Sequence, residues 1–415
     1  MWFYNLGIFF IGLAIKLSSI KKAKAKLWVG GRKNWRTNLT AKISKLTGKK
    51  TIWVHCSSYG EFEQGRPVIE ALRKQHPTHK IVLSFFSPSG YEAFKNWNGA
   101  DVICYLPLDT KQNAKDFIEI IKPDIAIFIK YEFWLNFLFQ LKEETVPTFL
   151  ISAVFKPHQP FFKWYGGIFK KALSAYKLLL LQDENSGKLL ETIQVKNYKV
   201  VGDTRFDRVF DILNAKKDLP LIDSFCVNNK ILVVGSSWPK DEEIVIDAFK
   251  KLKENHTRLK LIIAPHEVNK ESVAGIEKLL DGINYTLYTN PQNIESTDVL
   301  VIDTIGVLSQ LYRYATATYI GGGFNDGIHN ILESLVYNVP VAFGLNHYKF
   351  VEATETLQLG ISKEISNKND LFLFFDKIMA DENYQSHLSN EIKNYMQSKS
   401  GATQKIVLEL NSVLV

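Results

Sequence analysis

The sequence predicts an α/β protein built from two doubly wound, Rossmann-like parallel sheets facing a cleft, with an apolar helix ahead of them. Three observations predict it. Short β-branched runs alternate with helical stretches from Lys50 to about position 201, and the alternation restarts at Ile231. That βαβα rhythm gives parallel strands covered on both faces. The chain has 415 residues, and one hydrophobic core rarely grows past about 250–300, so two domains are expected. Hydrophobic residues make up 46% and charged residues 23%, an ordinary globular balance that excludes a disordered or fibrous chain.

The first element is apolar. Positions 2–15 carry no charge, Lys16 interrupts, and Lys21, Lys22, Lys24 and Lys26 follow. About twenty helical residues would span about 30 Å, the hydrocarbon thickness of a bilayer. Trp2, Tyr4 and Trp28 suit an aromatic belt, and the basic flank places the bulk of the chain on the cytoplasmic side. A single-pass or an interfacial anchor fits equally. Residues 1–60 hold twelve Lys or Arg and no acid, so the formal net charge of +8 belongs to the N-terminus. The remaining 39 basic residues are outnumbered by 43 acidic ones, which disfavours a nucleic-acid partner. Cys56, Cys104 and Cys226 are far apart and form no CxxC pair, as suits a reducing compartment.

Then come the wound halves. Strands are predicted at 51–55, 80–86, 102–106, 125–129, 148–152, 177–182 and 199–201. Helices are predicted at 67–75, 89–97, 110–122, 133–144, 161–175 and 184–192. Residues 206–229 have no strong strand and read as a linker. In the second half, strands fit 231–235, 259–264, 299–303, 317–320 and 339–343, and helices fit 241–255, 269–280, 306–314, 330–337 and 349–358. Two or three closing helices occupy 372–414. The domain division is thus 1–26 for the anchor, 27–205, the linker 206–229, 230–395, and a closing helix at 396–415.

Ligands are expected at the carboxyl ends of such strands. After the first strand, Ser57-Ser58-Tyr59-Gly60-Glu61 makes a turn that can aim Glu61 into the cleft; a Glu at a helix start is equally an ordinary dipole partner. Glu132 is a second acid at the same sheet edge, with Lys130 as an alternative surface partner. Arg205 either holds a phosphate bidentately or pairs with Asp203 or Asp207. Ser236 and Ser237 precede Asp241 and Glu242 and read as a helix cap or an anion-accepting turn. Gly321-Gly322-Gly323 lead to a helix expected to open at Asn330, a phosphate seat with Glu333 one turn on, suited to ribose hydroxyls. Neither a Rossmann GxGxxG nor a Walker loop is present, so no dinucleotide cofactor is expected. No metal signature appears either.

These stretches, in this order, resemble the 3-deoxy-D-manno-octulosonic acid (Kdo) transferases of lipopolysaccharide synthesis. His55-Cys56-Ser57-Ser58-Tyr59-Gly60-Glu61 is similar to the family's H-x-x-S-x-G-E, and Tyr131-Glu132-Phe133-Trp134 to T-E-L-W. Gly202-Asp203-Thr204-Arg205-Phe206-Asp207 is similar to G-x-x-K-F-D, with Arg205 for the Lys. Ala264-Pro265-His266 stands where the family has V/A-P-R, with His266 for the Arg. Asp303-Thr304-Ile305-Gly306 matches D-T-x-G, and Gly327 to Glu333 matches G-G-H-N-x-L-E, with Ile328 for the second Gly.

The resemblance implies an inverting, metal-independent GT-B glycosyltransferase without a cofactor. It would move Kdo from CMP-Kdo to a lipid A precursor at the cytoplasmic face of the inner membrane, in contact with inner-membrane lipid. Glu61 would be the general base, with Glu132 and Arg205 stabilising the transition state. Ser236, Ser237, Pro265, His266, Ile305, Gly306, Val307, Asn330, Ile331, Leu332 and Glu333 would bind the CMP of the donor. A GT-B enzyme using a UDP-sugar is the alternative.

Overall fold

The computed structural model describes residues 1–214 and 218–414. They form two compact units, Met1–Arg208 with Lys399–Val415, and Val209–Ser398.

The first unit carries seven parallel strands: β1 (Thr51–Cys56), β2 (Lys80–Phe85), β3 (Val102–Tyr105), β4 (Ile125–Ile129), β5 (Thr148–Ala153), β6 (Leu178–Leu181) and β7 (Tyr198–Val200). Their order is β3-β2-β1-β4-β5-β6-β7. The order reverses between β1 and β4, where His55 pairs with Phe128, so the crevice of a doubly wound sheet opens beside Cys56 and Ile129. The strands are apolar throughout because both faces are covered. Trp53, Phe128, Phe117 and Phe137 fill one face. Ile52, Val54, Ile127 and Ile129 fill the other, together with Ile406, Val407, Leu410 and Leu414 of the last helix, Ala402–Leu414. Lys50 Nζ closes that helix by donating to the Val413 and Leu414 carbonyls at 3.2 and 2.9 Å.

The second unit repeats the plan with β8 (Lys230–Ser237), β9 (Leu259–Pro265), β10 (Tyr285–Leu287), β11 (Val299–Val301), β12 (Ala317–Ile320), β13 (Val341–Phe343) and β14 (Ser362–Glu364). The order is β10-β11-β9-β8-β12-β13-β14, again parallel, with the reversal between β8 and β12. The three-residue edge strands β10 and β14 are too short to show any periodicity in the sequence.

Several expectations are corrected. The helix expected to begin at Pro67 runs from Tyr59 to Gln75, straight through the proline. Instead of one helix over 161–175 there is a 3₁₀ turn, Pro160–Phe162, and a short helix, Gly167–Leu173. A Cβ on the intervening Gly166 would overlap the Pro160 carbonyl, so the chain folds back there too tightly to continue a helix. Residues 206–229 are not an open linker. They contain most of the helix Thr204–Asn214 and all of Pro220–Cys226, with 215–217 outside the described residues. The closing segment is three helices, Lys368–Ala380, Glu382–Lys399 and Ala402–Leu414, so the boundary at 396 falls inside a helix.

The N-terminal helix stops at Ser18, about 26 Å long at 1.5 Å per residue. It turns through 119° into a second helix, Ala23–Gly30. Among the described residues no single helix is long and apolar enough to cross a membrane. One stripe of the first helix docks on its unit. Tyr4 Oη donates to the buried carboxylate of Asp109, Asn136 Nδ2 donates to Asn5 Oδ1 at 3.0 Å, and Ile8 and Gly12 are buried. Trp2, Phe3, Phe9, Phe10, Leu17 and Ile20 are exposed.

Candidate functional site

At the reversal point of the first sheet, two carboxyl groups meet. β1 ends at Cys56, Ser58 adopts extended backbone as the N-cap, and Glu61 is the third helical residue. From there its Oε2 reaches back to accept the Ser57 N–H at 2.6 Å, the reach of a capping-box acid. Glu132 follows β4. Lys130, in the left-handed region at φ +69°, turns the chain there, and Glu132 is 3% exposed. Its Oε2 accepts from Trp134 Nε1, and His55 Nε2 stands 3.2 Å away. The Tyr176 hydroxyl donates to its carbonyl.

The two acids are driven apart. Burial pushes the Glu61 carboxyl up to about 9, reinforced by the charge of Glu132. Burial also works against a charge on Glu132, yet His55 and the hydrogen bonds from His55, Ser57 and Glu61 hold it below the usual range. The pair therefore keeps one proton, on Glu61, the more accessible partner. Because a base must first lose that proton, kcat/KM of the free enzyme is expected to rise with pH toward an ionisation near about 9. A pH–rate profile flat from 6 to 9 would remove Glu61 from that role.

Arg205 opens the helix Thr204–Asn214 and grips Asp203: its N–H donates to Oδ1 at 2.9 Å, and Nε and Nη2 reach Oδ2 at 2.8 and 2.7 Å. The ion-pair alternative is thus realised. Burial lowers the affinity of Lys130 for its proton, and Arg205 lowers it further, so these two cations feel one another beside Glu61.

In the second unit the reversal point carries the glycine-rich loop. Ser236 is left-handed at φ +53°. Ser237 is buried, and its hydroxyl donates to Glu242 Oε1 at 2.9 Å, so it belongs to the floor of the turn. Asp241, fully buried, accepts from Trp238 N–H at 3.0 Å, Tyr319 Oη at 2.7 Å and Gly322 N–H at 2.8 Å. One carboxylate thereby ties the cap after β8 to the loop after β12. A cavity of about 320 Å³ beside this turn is lined by Glu242, Glu243, Glu267 and Glu271. Four acids repel a phosphate, which favours the cap reading of this helix start.

The helix expected over 330–337 is a single turn, Leu332–Leu335. The Leu332 N–H is already taken by Asn330 Oδ1 at 3.1 Å, and Asn330 Nδ2 donates to Glu333 Oε1 at 3.2 Å. So short a helix carries little dipole, and the free backbone donors inferred from the sequence are fewer than expected. Glu333 lies near the buried hydroxyl of Tyr312, which burial and Glu333 push up. Tyr312 in turn lies over Gly235 at the end of β8. Ile331 and Leu332 are buried. Ile305, Gly306 and Val307 follow β11, with Ile305 exposed, two strands from β8.

Pro265 ends β9 and His266 follows it, directly beside β8. His266 stacks between Trp238, with centroids 4.8 Å apart, and His329, 4.2 Å away. Burial lowers His329 to about 4, and His266 adds to the shift. Trp238 and His329 were not selected from the sequence. Their signal is that Trp238 stands just past β8, while the loop after β12 folds back so that the His329 N–H donates to the Gly321 carbonyl at 3.1 Å; the order β9-β8-β12 brings these strand ends side by side. Among the described residues no group of three or more His, Cys, Asp or Glu is placed to hold a metal ion.

Comparison with known proteins agrees with this frame. Residues 33–208 match the family described as 3-deoxy-D-manno-octulosonic-acid transferase (kdotransferase). The chain is 29% identical over 336 residues to the 3-deoxy-D-manno-octulosonic acid transferase of Aquifex aeolicus, covering 80% of this chain and 87% of that one. Among solved structures it resembles the UDP-GlcNAc 2-epimerase of Neisseria meningitidis at a TM-score of 0.63 and 17% identity, over 87% of this chain and 99% of that one. It also resembles the calicheamicin glycosyltransferase CalG4, at 0.55 and 10% identity, over 88% and 98%. At such identities these two speak for the fold alone. Two parallel α/β units of GT-B type, the family match over residues 33–208 and a relative spanning most of the chain agree: the chain is similar to the Kdo transferases, a family of glycosyltransferases.

Proposed function

We propose that this enzyme transfers Kdo from CMP-Kdo to a lipid A precursor, with inversion and without a metal ion, at the cytoplasmic face of the inner membrane. The observation that carries the reading is the Glu61–Glu132 pair at the reversal point of the first sheet. A carboxyl with raised proton affinity, backed by a carboxylate, is suited to take the proton of an attacking hydroxyl. As that oxygen bonds to the anomeric carbon, CMP departs with the electron pair of the breaking bond. Arg205 and Lys130 are the cations proposed to offset the phosphate charge that develops. Transfer from CMP-Kdo to a tetraacylated lipid A precursor, followed by mass spectrometry, tests the reading directly. Thermal protection by UDP and not CMP would favour the UDP-sugar alternative.

On the donor side, Ser236, His266, Asn330 and Glu333 are proposed to meet the nucleotide, with Glu333 accepting from the ribose. Glu333→Ala is expected to raise the donor KM by roughly 10–100-fold, as the loss of one charge-assisted hydrogen bond of about 1.5–3 kcal/mol implies, and to leave the acceptor KM near its original value. Unchanged CMP affinity by calorimetry would put the ribose elsewhere.

The bent N-terminal pair supports an interfacial anchor over a spanning one. Its exposed Trp2, Phe3, Phe9 and Phe10 offer an apolar face, and Lys21, Lys22, Lys24 and Lys26 suit anionic headgroups. Deleting residues 1–26 is expected to release the protein from anionic vesicles. The deletion also strips Tyr4 from Asp109, so the remainder should lose about 1–3 kcal/mol of stability. Full vesicle binding by the truncated chain would contradict the anchor.

A further inference from the structure

The loop after β5 carries two aromatic rings that the fold leaves in water. Trp164 is 96% exposed and Tyr165 58%. The rings meet edge to face, with centroids 5.6 Å apart. Single exposed apolar residues are ordinary, but three observations set this pair apart. The first is its mount. Phe161, one turn earlier, is buried against Phe133 and Phe155, with centroids 4.4 and 5.6 Å away. The Lys163 N–H donates to the Pro160 carbonyl at 3.1 Å, and the Gly166 N–H to the Lys163 carbonyl at 2.9 Å. Two successive tight turns therefore hold residues 164 and 165 at a firm tip.

The second is charge. Residues 145–182 contain five lysines and no acid, and Lys156, Lys163 and Lys170 flank the rings in exposed positions. The third is place. β5 is the neighbour of β4, so this loop lies at the carboxyl edge where Glu132 stands. Phe133 seats the loop through Phe161. Leu135 and Asn136 seat the N-terminal helix: the Leu135 N–H donates to Tyr4 Oη at 3.3 Å, and Asn136 Nδ2 donates to Asn5 Oδ1 at 3.0 Å. Two elements with exposed aromatic rings are thus mounted on residues 133–136, directly after Glu132.

We propose that the 163–165 loop is a second lipid contact, in which Trp164 and Tyr165 enter the headgroup layer of an anionic bilayer while Lys156, Lys163 and Lys170 meet its phosphates. The inference rests on the reading of the N-terminal helices as an interfacial anchor and gives the same edge of the same unit another point of support. Indole and phenol rings suit this layer, because the apolar body leaves water while the polar tip stays hydrated. Lysines beside them supply the attraction to anionic headgroups. One anchor leaves the unit free to roll about it; two contacts hold the carboxyl edge toward the lipid. A hydroxyl carried on a lipid then meets Glu61 without its acyl chains leaving the bilayer.

The test uses the full-length protein and mixed vesicles of phosphatidylglycerol and phosphatidylethanolamine, with neither donor nor acceptor present. The double variant Trp164→Ser/Tyr165→Ser is expected to bind about tenfold more weakly in sedimentation, since interfacial binding scales with the apolar area inserted. Its melting temperature without lipid should match wild type, because both rings lie largely in water. Trp164→Phe keeps an apolar ring and locates the indole. Lipids brominated on the acyl chain quench indole fluorescence on contact, and a quenched component present in wild type and lost in Trp164→Phe belongs to Trp164. That loss is expected. Equal quenching losses in the two proteins, or undiminished binding of the double variant, overturn the proposal. A ring that serves only to stack on the acceptor's sugar gives this overturning result, since no acceptor is in the vesicles. If wild type itself fails to bind, the anchor reading falls as well; if wild type binds and Trp164 stays unquenched, only this inference falls.

Discussion

Glu61→Gln is expected to lower kcat by roughly 10²–10⁴-fold, the range of a lost general base, and to raise the melting temperature at the same time. Both effects have one cause. The Glu61 carboxyl moves from an ordinary value of 4.5 to about 9 on folding, first through burial and then through Glu132. Between those values the folded state keeps a proton that the unfolded chain releases. The protonated carboxyl therefore favours folding fully below about pH 4.5, and that contribution is lost as pH rises through about 9. Glutamine has the same shape and never ionises, so it escapes the loss. The variant should melt with wild type at pH 4 and above it at pH 9, while its affinity for CMP stays unchanged. Equal melting at both pH values would mean that Glu61 is not held in a proton-retaining environment. Near-normal turnover would end its catalytic assignment.

Gly323→Ala is expected to give a large structural loss in the second unit. A Cβ at Gly323 would come within 2.5 Å of the Gly344 backbone N and Cα. No flexible side chain stands there to swing aside, so two backbone segments must separate. That separation pulls on the bond from Asn346 N–H to the Gly323 carbonyl, 2.7 Å long. Overpacking of this kind costs about 1–3 kcal/mol or more, or about 2–4 °C per kcal/mol for a unit of this size. Protection by CMP should vanish together with the stability, because the same loop is proposed to meet the donor. Gly275→Ala is the control. It lies within the helix Lys270–Leu279 with nothing within 4 Å of the added carbon, so alanine should leave the melt unchanged or raise it slightly. Identical melting of the two variants would refute the close-approach argument.

Strands buried on both faces were the most legible part of the sequence. The run at Ile125–Ile129 and the helix Glu184–Thr192 were placed to the residue, because an unbroken apolar run and an Asp N-cap are both local signals. Punctuation was less reliable. Pro67 was read as a helix start, but the helix begins eight residues earlier and tolerates it. At 161–175 an apolar run suggested one helix, and only the fold-back at Gly166 explains the break. In the candidate site the sequence marked Glu61 and Glu132 as separate acids at one sheet edge. That they share a proton depends on β1 and β4 being neighbours, which no local pattern states. The same holds for Trp238 and His329, whose meeting is a matter of strand order. Asp241 read as an ordinary first-turn acid, and its bond to Gly322 spans 81 positions.

The last helix bears on how the protein is born. Ile406, Val407, Leu410 and Leu414 complete the sheet face that Ile52, Val54 and Ile127 began, yet residues 209–398 are synthesised in between. At about 5–20 residues per second, a ribosome needs roughly 10–40 s to cross that insertion. Throughout that time part of one apolar face of the first sheet, beside the helix Tyr59–Gln75, waits uncovered, while the second unit has all of its own chain. The C-terminal domain is therefore the one that can mature first during translation, the reverse of the usual N-to-C order. A nascent chain halted before Ala402 is the form most in need of a chaperone, and a frameshift within codons 402–415 would damage the unit that residues 1–208 begin.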